Sequence, residues 1–299
     1  MSWTPPPPPD ALLKQHSGTW DDASVPLENR GIRLSWFTDL IHSITWHANA
    51  ARREALEADQ RAEYQRKASI YFANVPWPDP VQIPDEIAYT TRDFVGQYVL
   101  TKTAAIKGPL YAFAPDNARG RPGSFVSHAW DAHLFIQGHA FGILDAIGEG
   151  IAGIKEEFIW IDIACYNQHS DLQVAPDMER VIDNIGKIAF PITPVPLFDR
   201  IWCLWELLCA AKVEAKLQFC AAPGFRTDKR IMVNDFIRAF TSVQNARATV
   251  SADREVILNA IEKHFGSFDK ADSFIRDLLD RGLSDPWFEK YRQEPDAEV

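Results

Sequence analysis

Polar residues that could take part in chemistry occur together in one short run, Ser127 to Asp131, directly after an apolar stretch. Side chains alternate along a strand, so Ser127 and His128 point to opposite faces and cannot work together as nucleophile and base. The chain also has no Gly-x-Ser-x-Gly sequence of the kind that exposes a hydrolase serine. The run therefore argues against a serine hydrolase. Its residues remain candidate ligand contacts, with a hydrogen-bonded structural role as the alternative for His128.

Four histidines near Asp162 and Cys165 in the sequence raise the question of a metal site. Gaps of five and six residues between the first three do not align them on one helix face. No His-Glu-x-x-His or Cys-x-x-Cys sequence occurs, and no glycine-rich phosphate loop is present. We therefore expect no metal ion and neither Rossmann nor P-loop chemistry. The histidines are His128, His133, His139 and His169.

A second polar group follows the next apolar run. Asp162 ends that run, and the loop behind it contains Asn167 and His169. Ligands of open α/β sheets bind at the carboxyl ends of the strands, so this loop is a candidate binding element. Glu179 lies in the first turn of the helix that follows, where a carboxylate is also favoured for local reasons. Catalysis and helix capping are therefore both open for Glu179.

A later helix contains the sequence Arg-Ile-Trp-Cys-Leu-Trp-Glu, which ends at Glu206. Aromatic residues at three- and four-residue spacing are more often core or oligomer packing than a cofactor site. Burying Glu206 among them without a partner would be costly. Arg200 is the candidate partner, although a spacing of nearly two helical turns separates the two residues.

Composition restricts the class of protein. The 299 residues are 46% hydrophobic, which is enough for a large core. The net charge of -10, with no basic block, makes duplex nucleic acid an unexpected partner. The four cysteines fit neither a zinc knuckle nor a disulfide framework, so we expect reduced thiols in a cytoplasmic protein. With no leader and no long apolar run, we expect no membrane contact.

Short apolar runs alternate with helical patterns between 123 and 222, which predicts an α/β fold with a doubly wound parallel sheet. Right-handed crossovers would join the strands. The predicted strands cover 124–130, 157–165, 187–195 and 216–222, and the predicted helices cover 134–147, 176–185 and 199–213.

The flanking sequence differs in character from this central region. We expect a flexible Pro-rich arm over 1–30, in which five consecutive prolines exclude helix and strand. A helical region follows over 31–115, and a proline-rich connection interrupts it at 75–86. A helical extension is predicted over 223–299.

Five sequence pieces, in this order, resemble the divergent TIR-like proteins, relatives of the Toll/interleukin-receptor homology domain, of the type whose first strand reads SHAW. The resemblance covers about 123–222 and implies a flavodoxin-like fold with a five-stranded parallel sheet. The pieces are FVSHAW from Phe125, WIDIA from Trp160, NQH from Asn167, IG from Ile185 and RIWCLWE from Arg200.

The resemblance also implies an activity. Enzymatic TIR domains cleave the nicotinamide-ribose bond of NAD and require a glutamate on the helix after the second strand. That position matches Glu179 here, with Asp177 as the alternative. NAD would be the substrate and no cofactor would be needed. The implied substrate contacts are Ser127, His128, Trp130, Asp131, Asp162, Asn167 and His169.

Such enzymes act as homo-oligomers in immune or stress signalling, and the loop over 164–176 would close on the ligand and contact a neighbouring subunit. Two alternatives remain open. One is a non-catalytic signalling or scaffold module that uses the helix over 199–213 as an interaction surface. The other is a nucleoside-processing glycosyl-transfer enzyme, which also uses a glutamate at a sugar carbon.

Overall fold

The computed structural model describes most of the chain between residues 5 and 283. The predicted connection at 75–86 lies outside the described residues, as do 223–239 and 284–299 of the predicted helical extension. The described residues are 5–16, 18–56, 60, 62, 89–134, 142–150, 157–170, 174–193, 195, 197–221, 240–248 and 251–283.

A mixed six-stranded sheet forms the centre of the molecule, with the strand order β2-β1-β4-β3-β5-β6. Four neighbouring strands, β4, β3, β5 and β6, pair in parallel. Strand β1 lies between β2 and β4 and runs antiparallel to both. The α/β class is thus confirmed, but the sheet is not purely parallel. The strands are β1 Gly31–Arg33, β2 Arg119–Gly120, β3 Ser124–Val126, β4 Phe158–Trp160, β5 Lys187–Ile192 and β6 Lys216–Ala221.

Aromatic side chains stack between neighbouring strands at the buried centre of the sheet. Phe125 of β3 stacks on Trp160 of β4 with ring centroids 4.8 Å apart, and Phe190 stacks on Phe219 at 5.4 Å. All residues of β3 are buried, as expected for a parallel strand covered on both faces. The core therefore lies around the β3–β5 pair.

The first two strands of the central region are shorter than predicted. The strand predicted over 124–130 ends at Val126, and the one predicted over 157–165 ends at Trp160. The segment Asp162–Cys165 is helical instead, and the Asp162 carboxylate accepts a hydrogen bond from the Ile163 N–H. Asp162 lies in the first turn of this helix, where a carboxylate is favoured by the positive end of the helix dipole.

Helices pack against the sheet. Of the helices in the described part of the chain, none is long and apolar enough to cross a membrane. The predicted helices 176–185 and 199–213 are observed as α6 Val174–Ile185 and α7 Ile201–Lys212. The helix predicted over 134–147 is helical only from Ile143 among the described residues. Helix α3, over 91–103, has a π-helical turn at Val95–Val99. The others are α1 Leu34–Ala48, α2 Ala50–Glu54, α4 Ile143–Gly150, α5 Asp162–Cys165, α6 Val174–Ile185, α7 Ile201–Lys212, α8 Ser251–Phe265 and α9 Phe268–Leu283.

The amino-terminal stretch packs on the body of the protein instead of forming the expected free arm. Ser43 Oγ donates a hydrogen bond to the Pro7 carbonyl at 2.6 Å, and Trp36 Nε1 donates to the Leu12 carbonyl at 2.9 Å. Prolines lack an N–H but keep a carbonyl acceptor, and α1 supplies the donors. Buried Arg30 holds the following turn by an ion pair with Asp22. We call residues 5–30 the arm, of which 17 is not described.

The arm also covers the end of the segment that follows α3. The Trp20 N–H donates to the Ile106 carbonyl, and the Trp20 ring lies directly over Gly108. A Cβ at Gly108 would lie 2.5 Å from the Trp20 Cβ, which is closer than packed carbons tolerate. The arm therefore depends on a glycine at this position.

We predict that Gly108→Ala displaces the arm and lowers the free energy of unfolding by about 1–3 kcal/mol. Limited proteolysis with mass-spectrometric readout should show faster cleavage within residues 5–30. The control is Gly148→Ala in α4, where a Cβ would meet nothing within 4 Å. Equal protection of the arm in both variants would contradict the prediction.

Candidate functional site

The candidate site lies at the carboxyl ends of β3 and β4. Strand β3 has β4 on one side and β5 on the other, so the order of the parallel strands reverses at β3. Ligands of open α/β sheets bind at such a reversal. Ser127 to Asp131 follow β3 and Asp162 follows β4, so both sequence runs with candidate residues reach this edge.

A buried pair of side chains joins β3 to α7. Ser127 is completely buried, and its Oγ donates a hydrogen bond to Glu206 Oε2 at 2.5 Å. Glu206 keeps some exposed surface, but its carboxyl group is surrounded by protein. The expected Glu206–Arg200 pair is wrong as a partner assignment, since Arg200 donates to Asp131. Arg200 precedes α7, and Glu206 lies further along the helix on the side that meets β3.

Burial raises the pKa of Glu206, the hydrogen bond from Ser127 favours the ionised form and lowers it, and the negative charge of Asp162 raises it. Together they bring the pKa to about 8. The net effect is a glutamate that gains or loses its proton near neutral pH. Titration in that range is the property required of a group that stabilises or transfers charge during a reaction.

Asp162 connects the two strand ends. Its Oδ2 accepts a hydrogen bond from Trp130 Nε1 at 2.9 Å, and its backbone carbonyl accepts one from Gln168 Nε2. His128 Nε2 lies 3.5 Å from Asp162 Oδ1, without hydrogen-bond geometry. His128 is buried, so it packs behind Asp162, while Trp130 and Asp162 keep partly exposed surfaces. The site thus has a buried floor and an accessible rim.

A cysteine nucleophile is disfavoured here. Cys203 of α7 lies beside the site, with Sγ 3.5 Å from the His128 carbonyl, and burial raises its pKa well above the usual value. All four cysteines are buried and none forms a disulfide. A thiol held protonated is a poor nucleophile. Within the described residues, no group of three His, Cys, Asp or Glu side chains could hold a metal ion. The carboxyl groups at this edge remain the candidate reactive groups.

Asp131 forms an ion cluster at the rim. It receives two hydrogen bonds from Arg92, from Nη2 at 2.7 Å and Nε at 3.2 Å, and one from Arg200 Nη1 at 2.9 Å. Burial raises the pKa of Asp131, but the Arg92 hydrogen bond and the nearby arginine charges outweigh this and lower it overall. Asp131 is therefore ionised at neutral pH and holds two guanidinium groups.

Asn167 and His169 bind other parts of the protein. Asn167 Nδ2 donates to Asp22 of the arm and to the Lys107 carbonyl, both at 2.9 Å. His169 Nε2 lies 2.7 Å from Thr103 Oγ1 at the end of α3. Among the described residues, no contact joins Asn167 or His169 to Glu206 or to Ser127. Their role as substrate contacts stays a prediction, and the observed contacts give them a role in fastening the loop.

Glu179 lies on α6 and pairs with Lys212 at the end of α7. Asp177, the alternative, pairs with Arg180 one turn along the same helix. No contact among the described residues links either carboxylate to Ser127 or Asp162. Catalysis by Glu179 remains an untested prediction. The sequence does not mark Glu206 as catalytic. Its only signal is the free-energy cost expected for burying a carboxylate in an apolar helix.

Comparison with known proteins adds no further assignment. No protein-family model, curated protein or solved structure matches the chain. The likeness to TIR-like proteins therefore rests on the five sequence pieces alone. The chemistry of the site must be argued from its geometry.

Glu206 provides a test through stability. Between pH 4.5, the ordinary pKa, and about 8, the folded protein keeps a proton that the unfolded chain has released. Stability therefore falls as pH rises across this range, and the loss is complete above it. We predict that Glu206→Gln is more stable than the wild type above pH 8, by about 1–3 kcal/mol, with the difference shrinking toward pH 5.

Urea unfolding at several pH values measures this effect. Glu179→Gln is the matched control, because that glutamate is partly exposed and paired with Lys212. Parallel stability curves for the wild type and Glu206→Gln across pH 5–9 would argue against a buried titrating carboxyl.

Proposed function

We propose that the chain is a TIR-like NAD glycohydrolase in which Glu206 acts on the nicotinamide-ribose bond. The observation that carries the proposal is the buried Glu206 carboxyl, bonded to Ser127 and close to Asp162 at the carboxyl edge of the sheet. The strand order β4-β3-β5-β6 is compatible with a flavodoxin-like arrangement. The five sequence pieces of the resemblance support the TIR-like assignment, whereas the resemblance by itself matches the required glutamate to Glu179.

The reaction suits a carboxylate. In NAD the nicotinamide nitrogen is already positively charged, so the C1′–N bond breaks with its electron pair leaving on neutral nicotinamide, and no general acid is required. The ribosyl group that remains has oxocarbenium character, which a fixed negative charge stabilises. Water then adds to C1′ and releases a proton. The products are ADP-ribose, nicotinamide and one proton.

The surroundings of Glu206 fit that role. The Ser127 hydrogen bond engages Oε2 of the carboxyl group, so Oε1 is the oxygen proposed to face the sugar. A cationic substrate beside the carboxyl favours its ionised form and so lowers its pKa on binding. Trp130 has its indole fixed by Asp162 and keeps an exposed face, on which a nicotinamide or adenine ring can stack.

This proposal moves the catalytic glutamate from α6 to α7. Glu206 lies beside Ser127 and Asp162 at the carboxyl edge of the sheet, whereas the Glu179 carboxylate is engaged by Lys212 at the surface. The original assignment to Glu179 is kept as the competing hypothesis, and the same assay distinguishes the two.

The packing of α7 bears on the scaffold alternative. Most of the helix faces the core, and Trp202 Nε1 donates to Asp253 of α8 at 3.1 Å. A helix used in this way offers little surface to a partner. The enzyme reading is therefore favoured over one in which α7 is the interaction surface. Self-association and a place in immune or stress signalling remain parts of the proposal.

The decisive assay is nicotinamide release from NAD, measured by chromatography over a range of protein concentrations. We predict that Glu206→Gln lowers the rate by about 10²-fold or more, the cost of removing a charge that stabilises a transition state. Glu179→Gln should stay within about threefold of the wild type, since losing one exposed ion pair costs little. Release that rises faster than the protein concentration would support an active oligomer.

Two outcomes would count against the proposal. Loss of activity in Glu179→Gln with activity kept in Glu206→Gln would return the role to Glu179. No release at any concentration, with the fold intact by circular dichroism, would favour the non-catalytic alternative.

The pH profile gives an independent prediction. Because the ionised carboxylate is the active form, kcat/KM for NAD should rise with pH and level off above about 8, the pKa of Glu206 in the free protein. A profile that is flat between pH 6 and 9, or that falls with rising pH, would contradict the role given to Glu206.

A further inference from the structure

Two guanidinium groups converge on one carboxylate at the rim of the site. Arg92 and Arg200 come from different parts of the chain, the first from α3 and the second from the residue before α7. Both donate hydrogen bonds to Asp131, Arg92 to Oδ1 and Arg200 to Oδ2. The two carboxylate oxygens accept hydrogen bonds from the two guanidinium groups, as two oxygens of a phosphate group would.

A third arginine lies beside this pair. The backbone N–H of Ile201 donates to the Arg247 carbonyl, which brings Arg247 next to Arg200, and its guanidinium pairs with Asp199. The group therefore contains three arginines and two aspartates. Guanidinium groups gathered at one place favour binding of an anion.

The arginine pair is continuous with the candidate site. The Arg92 N–H donates to the Trp130 carbonyl at 2.9 Å, and the Trp130 indole donates to Asp162. The side chains of Arg92 and Asp131 are 41% and 42% exposed, so a ligand can reach them, whereas Arg200 is only 11% exposed and rigidly held. The rim thus runs from the carboxylates past Trp130 to the arginines.

We propose that Arg92 and Arg200 bind the pyrophosphate of a dinucleotide substrate, in the position that Asp131 occupies in the free protein. This inference rests on the proposed function and deepens it, because it names the substrate class as a pyrophosphate-bearing nucleotide and not a free nucleoside. Asp131 holds the two guanidinium groups in register and gives way when phosphate oxygens replace its carboxylate.

Physical reasons favour a pyrophosphate over other anions. The planar guanidinium fork binds two phosphate oxygens at once, and two such forks match a ligand with two linked phosphates. The chain has no glycine-rich phosphate loop, so a nucleotide held at this edge needs side-chain donors. Arg92 and Arg200 supply them at Asp131, the residue that follows the ring proposed to stack on the base.

Binding can be measured without turnover. Isothermal titration calorimetry with ADP-ribose as the probe should give a dissociation constant that rises about tenfold or more in Arg92→Gln, the usual effect of losing charge-assisted hydrogen bonds. Arg92→Lys, which keeps the charge but not the fork, should fall between the two. The control is Arg119→Gln, whose guanidinium pairs with Asp116 near the distant edge strand β2.

Asp131→Asn separates a ligand site from a structural ion cluster. If the carboxylate occupies the phosphate position, its neutralisation should tighten ADP-ribose binding by about threefold or more, because a competing charge is removed. A purely structural cluster would instead lose stability and bind no better. Nicotinamide riboside, which has no phosphate, should bind equally to the wild type and to Arg92→Gln.

The outcomes distinguish this inference from the proposed activity. ADP-ribose binding that depends on Arg92, in a protein that releases no nicotinamide, would leave the phosphate site standing and overturn the glycohydrolase. Nicotinamide release with unchanged ADP-ribose binding in a folded Arg92→Gln variant would overturn the phosphate site. Absence of ADP-ribose binding to the wild type, or weaker binding in Asp131→Asn, would also overturn it.

Discussion

The hydrogen bond between Ser127 and Glu206 is the constraint on which the rest of the site depends. A carboxyl group on an otherwise apolar helix needs a polar partner when that helix is packed into the core. Ser127, completely buried at the end of β3, supplies the partner. The contact sets the position of α7 against the centre of the sheet. It also leaves Glu206 where the order of the parallel strands reverses.

That arrangement has an energetic cost. A carboxyl group whose pKa lies near 8 is held in an environment that disfavours its charge, and a neutral or apolar side chain would suit the core better. Proteins accept such costs mainly at functional sites, where the strained group performs a task. The nearby thiol of Cys203 is also buried and held protonated, although a hydrogen bond with Ser127 favours its ionised form, so burial is the dominant influence there.

The amino-terminal region contributes contacts to the candidate site. Strand β1 extends the sheet, Arg92 of α3 reaches Asp131, and Asp22 of the arm accepts a hydrogen bond from Asn167. The loop that follows Asp162 is thus tied to segments more than sixty residues earlier in the chain. A cut at the start of the central α/β region would remove one wall of the candidate site.

Local patterns predicted the elements whose residues carry a local signal. The helices and strands from 176 to 222 were located to within a few residues, because continuous apolar runs and helical spacing are properties of short windows. The α/β class followed from their alternation. The predicted ends of the first two strands lie too far along the chain. After the second strand, Asp162 begins a helical turn where the apolar run predicts a continued strand.

Long-range pairing was beyond such patterns. Ser127 and Glu206 are 79 residues apart, and Arg92 and Asp131 are 39 apart. Arg200 looked like the partner of Glu206 because it is close in sequence, yet the two residues meet different parts of the fold. The arm was expected to be free because prolines exclude regular structure, but their carbonyls bind donors on α1.

A crystal structure of the protein with ADP-ribose bound would test the central claim most directly. The account predicts that the anomeric carbon of the ribose lies within about 4 Å of the Glu206 carboxylate, near the indole of Trp130, at the distance required for charge stabilisation. Ribose bound against Glu179, or remote from the carboxyl edge of β3 and β4, would contradict it.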